Sequence, residues 1–89
     1  IYNVIIALGV KVQGRNVRDV GRYLAELPEV LSVNIMNGDH DIELMVALHD
    51  FSEVQTFLFE HIAGIEGVMH VTPGIAVDIV KFEFNVAPL

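Results

Sequence analysis

Val30-Leu31-Ser32-Val33-Asn34-Ile35-Met36-Asn37-Gly38-Asp39-His40-Asp41-Ile42-Glu43-Leu44-Met45-Val46-Ala47-Leu48 consists of two apolar runs joined by a short polar turn. In the first run Leu31, Val33 and Ile35 share one face, with Ser32 and Asn34 on the other. In the second, Ile42, Leu44, Val46 and Leu48 alternate with Asp41, Glu43, Met45 and Ala47. A period of two with one apolar side predicts two strands, each burying one face. Asn37 and Gly38 both reach positive φ easily, so the runs are predicted to close as a hairpin.

Outward from the hairpin, each side carries a helix and then a strand. Residues 2–12 are rich in Val and Ile and read as a strand that Gln13 and Gly14 break. Asn16 is placed to cap a helix whose apolar positions are Val17, Val20, Leu24 and Leu27, and Pro28 stops it. On the other side, Asp50 and Glu53 have capping-box spacing. The helix after them shows a stripe of Phe51, Val54, Phe57 or Leu58, Ile62 and Ile65, ended by Gly64 and Gly67. Residues 68–80 form a further strand region, interrupted at Pro73-Gly74 and continued by residues 82–86. Proline cannot donate in a ladder, so a bulge or bend at a sheet edge is expected there. It could aim residues 75–84 toward a partner molecule.

The two halves also match one another. Leu27-Pro28-Glu29-Val30-Leu31-Ser32-Val33 parallels Ile65-Glu66-Gly67-Val68-Met69-His70-Val71. Strand, helix, strand, twice over, is the ferredoxin-like βαββαβ sandwich of the α+β class. Right-handed crossovers would set the first and third strands in the sheet centre and both helices on one face. The other face is left bare, and a second copy is expected to cover it, giving a dimeric α+β barrel.

Composition supports that expectation. An 89-residue domain buries only a modest core, yet 53% of its residues are hydrophobic and its mean hydropathy is +0.52. No apolar run approaches the roughly 18 residues of a spanning helix, and there is no signal-peptide pattern. Absence of cysteine excludes disulfides and thiolate chemistry, and a cytoplasmic location is expected. Five basic against twelve acidic residues give a net charge of −7, which argues against nucleic-acid binding by this segment. The chain opens on Ile1 inside an expected strand, as a piece of a longer protein would.

The turn holds more chemistry than a hairpin needs: Asp39, His40 and Asp41 are three ionisable groups in succession. A solvated tip explains them simply, since Asp and Asn are good turn formers. A binding site explains them too. Backbone N–H groups near Gly38 could hold a carboxylate while Asp39 or Asp41 accepts an ammonium, which together recognise an amino acid. His40, His49, His61 and His70 show no metal-ligand spacing, so no metal or cofactor is expected. His61 lies beside the second helix's stripe and reads as structural. The hydroxyls of Ser32, Ser52, Thr56 and Thr72 stand in no nucleophile-elbow motif, and phosphate-binding glycine motifs are absent. Arg15, Arg18 and Arg22 read as a solvated helix face, with Arg18 and Arg22 placed to pair with Glu26.

The order of Leu27-Pro28-Glu29-Val30, Gly38-x-x-Asp41, Gly67-Val68 and Lys81 resembles the C-terminal domain of the Lrp/AsnC (feast–famine) transcriptional regulators, over nearly the whole chain. That resemblance implies one effector-binding and oligomerisation domain over residues 1–89, without catalysis and without the family's separate DNA-binding helix-turn-helix. It implies a sheet-to-sheet homodimer, assembling further into tetramers or octamers. It implies an amino-acid effector near Asn37, Gly38, Asp39, His40 and Asp41 at a contact between dimers, with Thr72 completing the pocket. DNA would be reached only through the absent domain. The sequence departs from the family pattern at His40, where an aromatic residue is usual, and near Pro73, where a threonine is common. Two other classes share this plan. One is a small ferredoxin-like enzyme, monooxygenase-like or tetrapyrrole-modifying, with His40 or His70 as acid–base group. The other is an ACT-like allosteric module.

Overall fold

The computed structural model describes residues 4–13 and 16–81. The order is β1 (Val4–Val12), α1 (Val17–Ala25), β2 (Val30–Ile35), β3 (Ile42–Leu48), α2 (Glu53–Phe57) with a π-helical turn (Leu58–Ile62), and β4 (Val68–Ile75). The strands form one antiparallel sheet in the order β2-β3-β1-β4. β1 and β3 are central, as the duplicated plan requires. Gly14, Arg15, Tyr2 and residues 82–86 lie outside the described residues.

A single apolar layer joins sheet and helices. Ile6, Leu8 and Val10 of β1 and Ile42, Leu44, Val46 and Leu48 of β3 meet Val20 and Leu24 of α1 and Val54, Phe57 and Ile62 of the second helical segment. The alternation read in residues 42–48 is thus the core face of β3. Phe57 and Ile62 are five residues apart, and both are buried because the helix widens there: the Ala63 N–H donates to the Leu58 C=O at 2.9 Å. Phe51 does not join the stripe and is 61% exposed.

Local signals behave unequally. The Glu53 carboxylate accepts from the backbone N–H groups of His49 and Asp50, each at 2.8 Å, so the capping-box spacing is used. Asn16 occupies the N-cap position of α1 but its side chain makes no capping bond. Arg22 pairs with Asp19 at 2.8 Å, one turn back, rather than with Glu26. Gly67, at φ 94°, is the left-handed residue among those described; neither Asn37 nor Gly38 has positive φ. The β2–β3 connection is therefore wider than a two-residue turn, closed by the Met36 N–H donating to the Asp41 C=O at 2.9 Å.

Both edge strands carry an irregularity that the pattern of two did not reveal. In β2 the register jumps from Val30↔Val46 to Ser32↔Met45, so Leu31 is the extra residue and turns out to 51% exposure. In β4 the jump falls between Lys11↔His70 and Val12↔Val68, at Met69, not at Pro73. Pro73 and Gly74 stay in the ladder opposite Leu8 and Ala7, which an edge strand tolerates because the proline's missing N–H can face outward. The strand ends at Ile75, short of residue 80.

Among the described residues no helix covers the second face of the sheet. At its centre that face combines small and polar residues, Ala7 and Gly9 of β1, Glu43 of β3, Ser32 and Asn34 of β2 and Thr72 of β4, with Met45 of β3, which pairs with Ala7. Large exposed apolar side chains concentrate instead along the edges and beyond β4, at Leu31, Ile35, Met69, Ile75, Val77 and Val80.

Candidate functional site

The turn and the open sheet face meet at Gly9. Side chains at Ile6, Leu8 and Val10 point into the core, so Gly9 points to the other face, in register with Glu43 on β3 and Thr72 on β4. A Cβ placed there would lie 2.5 Å from His40 Nδ1 and 2.6 Å from Cε1. The missing side chain is the seat of the imidazole. His40 is thus drawn back from the turn onto the sheet, and its Nε2 comes 3.4 Å from Thr72 Oγ1.

Asp41 holds this loop in place. Its Oδ2 accepts from the Val12 N–H at 2.8 Å and lies 3.8 Å from Lys11 Nζ. The Asp41 N–H in turn donates to the Val10 C=O at 3.0 Å. The β1–β3 ladder ends at Val10↔Ile42, so the Val12 N–H lies beyond it on that side, and the carboxylate takes it up. Of the two roles open to Asp41, ordering the turn is the one the geometry serves.

The six residues expected at the ligand site therefore divide. His40 and Thr72, 32 residues apart, come together over Gly9, with Asp41 bracing the loop beneath them. Asn37, Gly38 and Asp39 remain exposed at the tip, and the space beside Gly38 is open. Thr72 stands one residue before Pro73 and presents its hydroxyl to His40. Gly9 and Lys11 were not read as site residues. A lone glycine between Leu8 and Val10 in a strand is the signal that could have found the first, because it marks close approach by another group.

The other histidines are elsewhere. The His61 ring lies tilted by 48° against Phe57, ring centroids 5.2 Å apart, in a helix-side depression of about 350 Å³ with Tyr23 and Glu60. His70 is exposed on β4 opposite Lys11. The sheet–helix interior holds no buried polar or charged residue among those described, so no histidine enters it. No described helix is long and apolar enough to cross a membrane, and no metal-holding cluster of His, Asp or Glu occurs among the described residues.

Comparison with known proteins agrees with this architecture. The family described as the Lrp/AsnC ligand binding domain matches residues 4–86. An uncharacterised HTH-type transcriptional regulator of Pyrococcus furiosus is 31% identical over 83 residues, 93% of this chain and 56% of that protein. The structure of AsnC from E. coli superposes with a TM-score of 0.85 at 18% identity, covering 93% of this chain and 56% of the other. A transcriptional regulator of Neisseria meningitidis in complex with L-Met gives 0.86 at 17% identity, over 97% of this chain and 57% of the other. The chain spans little more than half the length of the curated relatives it matches.

Proposed function

The chain belongs to the Lrp/AsnC ligand binding domain family, and from that premise we propose that it senses an amino acid or similar small zwitterion and passes the signal on through self-assembly. The observation that carries the reading is the meeting of His40 and Thr72 over Gly9, which joins the polar loop to the open sheet face. There a ligand finds hydrogen-bonding side chains, the open backbone at Gly38, and Asp39 free for an ammonium group. The L-Met complex of the Neisseria regulator supports effector sensing on this fold.

The mechanism is linkage. A second copy packs on the sheet face and becomes one wall of the effector site at His40 and Thr72, dimers associate further through the loops, and an effector that binds one assembly better than another shifts the equilibrium by its difference in affinity. DNA is contacted by a helix-turn-helix elsewhere in the full protein, which fits the net charge of −7 on this part. The domain performs no catalysis and works in the cytoplasm.

A thermal-shift screen of the common amino acids, followed by calorimetry, tests the reading. A ligand present at 100 times its Kd stabilises by about 2.7 kcal/mol, which raises the Tm of so small a domain by roughly 10 °C or more. At least one amino acid should do so. Absence of any shift and any heat across the panel would overturn effector sensing.

A further inference from the structure

His40 and Thr72 present hydrogen-bonding groups at one point of the sheet face, and their mutual contact leaves most of that capacity unspent. A neutral imidazole has one donor and one acceptor, and a threonine hydroxyl has one donor and two acceptor positions. Their separation of 3.4 Å is at the long end for a hydrogen bond, leaving room for a third group to do better.

We propose that His40 is the specificity-determining residue of the effector site. With Thr72 it selects amino acids whose side chains carry a carbonyl oxygen, amide or carboxylate, over those with aliphatic side chains. This rests on the effector reading given above.

The surroundings support the selection. Gly9 fixes where the ring lies, because the imidazole fills the volume of its absent side chain. Two pairs further along the β1–β4 ladder, the next on this face, stand Lys11 and His70; two pairs back stand Ala7 and Gly74, which are small and leave space. Across β1, Gly9 faces Glu43, which faces Asn34 on β2. Ile6, Leu8 and Val10 of β1 point into the core, and the large apolar residues on this face, Ile5 and Met45, stand further along it, at the Ile5↔Ala47 and Ala7↔Met45 pairs. An aliphatic side chain set against His40 and Thr72 would strip water from both and return no hydrogen bond. An amide or carboxylate oxygen would replace that water.

Calorimetry on the 89-residue chain tests this, with Asn, Gln, Asp and Glu as one set of free amino acids and Leu, Ile, Val and Met as the other. The wild type should bind its best ligand of the first set at least about tenfold more tightly than any of the second. Asn and Gln against Asp and Glu separate amide from carboxylate recognition. His40→Phe keeps a ring over Gly9 while removing both nitrogens, and should bring the ratio to about one or reverse it. Thr72→Val, a second route to the same loss, should lower it too. Circular-dichroism melting verifies that each variant is folded. Equal or tighter binding of the aliphatic set by the wild type, or an unchanged ratio in both variants, overturns the specificity role and leaves effector sensing standing. A wild type that binds no amino acid overturns both.

Discussion

The imidazole of His40 occupies the place where Gly9 would carry its side chain, 31 residues away in the chain, with Nδ1 only 2.5 Å from the Cβ position. An alanine at position 9 must therefore push the ring aside. His40 is a loop side chain and can move, so Gly9→Ala should leave the fold intact. The methyl group also suits a strand better than glycine does, offsetting some of the lost contact by about 0.5–1 kcal/mol. The expected outcome is a Tm within a few degrees of wild type together with at least tenfold weaker effector binding, read by melting and calorimetry on the same sample. Unchanged affinity would detach His40 from the site.

Asp41 and Val12 give a test of stability rather than binding. Asp41→Ala leaves the N–H of Val12, itself only 6% exposed, without its 2.8 Å acceptor. An unsatisfied buried donor costs about 1–3 kcal/mol, and urea denaturation should show a loss of that size. Asp41→Asn keeps an acceptor oxygen and should lose less. Lys11→Met removes only an ion pair whose lysine side chain is 49% exposed, so its effect should stay below about 1 kcal/mol. A lysine variant as damaging as Asp41→Ala would mean that charge, not the backbone hydrogen bond, holds the loop.

Glu53 closes the start of the second helix by accepting from two backbone N–H groups, those of His49 and Asp50. Glu53→Ala should cost about 1 kcal/mol, within the range of lost helix caps, and Glu53→Gln noticeably less. Denaturant melts of the two variants decide it; equal losses would assign the effect to charge near the helix start.

Gly67 is the residue at which positive φ is used, at 94°, and its C=O accepts from the Gln13 N–H at 2.7 Å. Gly67→Ala should destabilise by about 1–2 kcal/mol through backbone strain. Gly38→Ala, with open space at its Cβ and no left-handed φ, should be nearly neutral. Reversal of that ranking in thermal melts would contradict the backbone described for the two turns.

The sequence placed positive φ at Gly38 and read Gly67 only as a helix end, and here its limits are physical. Periodicity is a local property, so the core face of Ile42, Leu44, Val46 and Leu48 was legible, as was the capping role of Glu53. The strand order followed from the repeated strand–helix–strand halves. The extra residues Leu31 and Met69 were not legible, because a bulge is defined against a partner strand that the local pattern does not contain. The same holds for His40. Its position next to Asp39 and Asp41 suggested a solvent-facing tip, whereas its real neighbours are Gly9 and Thr72, brought in by the register of β1 with β4. Thr72 was included in the site through family resemblance, and its partner Gly9 was missed.

The most direct test of the central claim, that an effector binds where His40 and Thr72 meet, is a nuclear magnetic resonance titration of the isotopically labelled chain with the amino acid that shifts its melting temperature most. The account predicts that the His40 imidazole and Thr72 methyl resonances move with the same saturation curve, with the Gly9 amide following them. Saturable binding that moves resonances of the helix face, around Tyr23 and His61, while leaving His40 and Thr72 unmoved would contradict it.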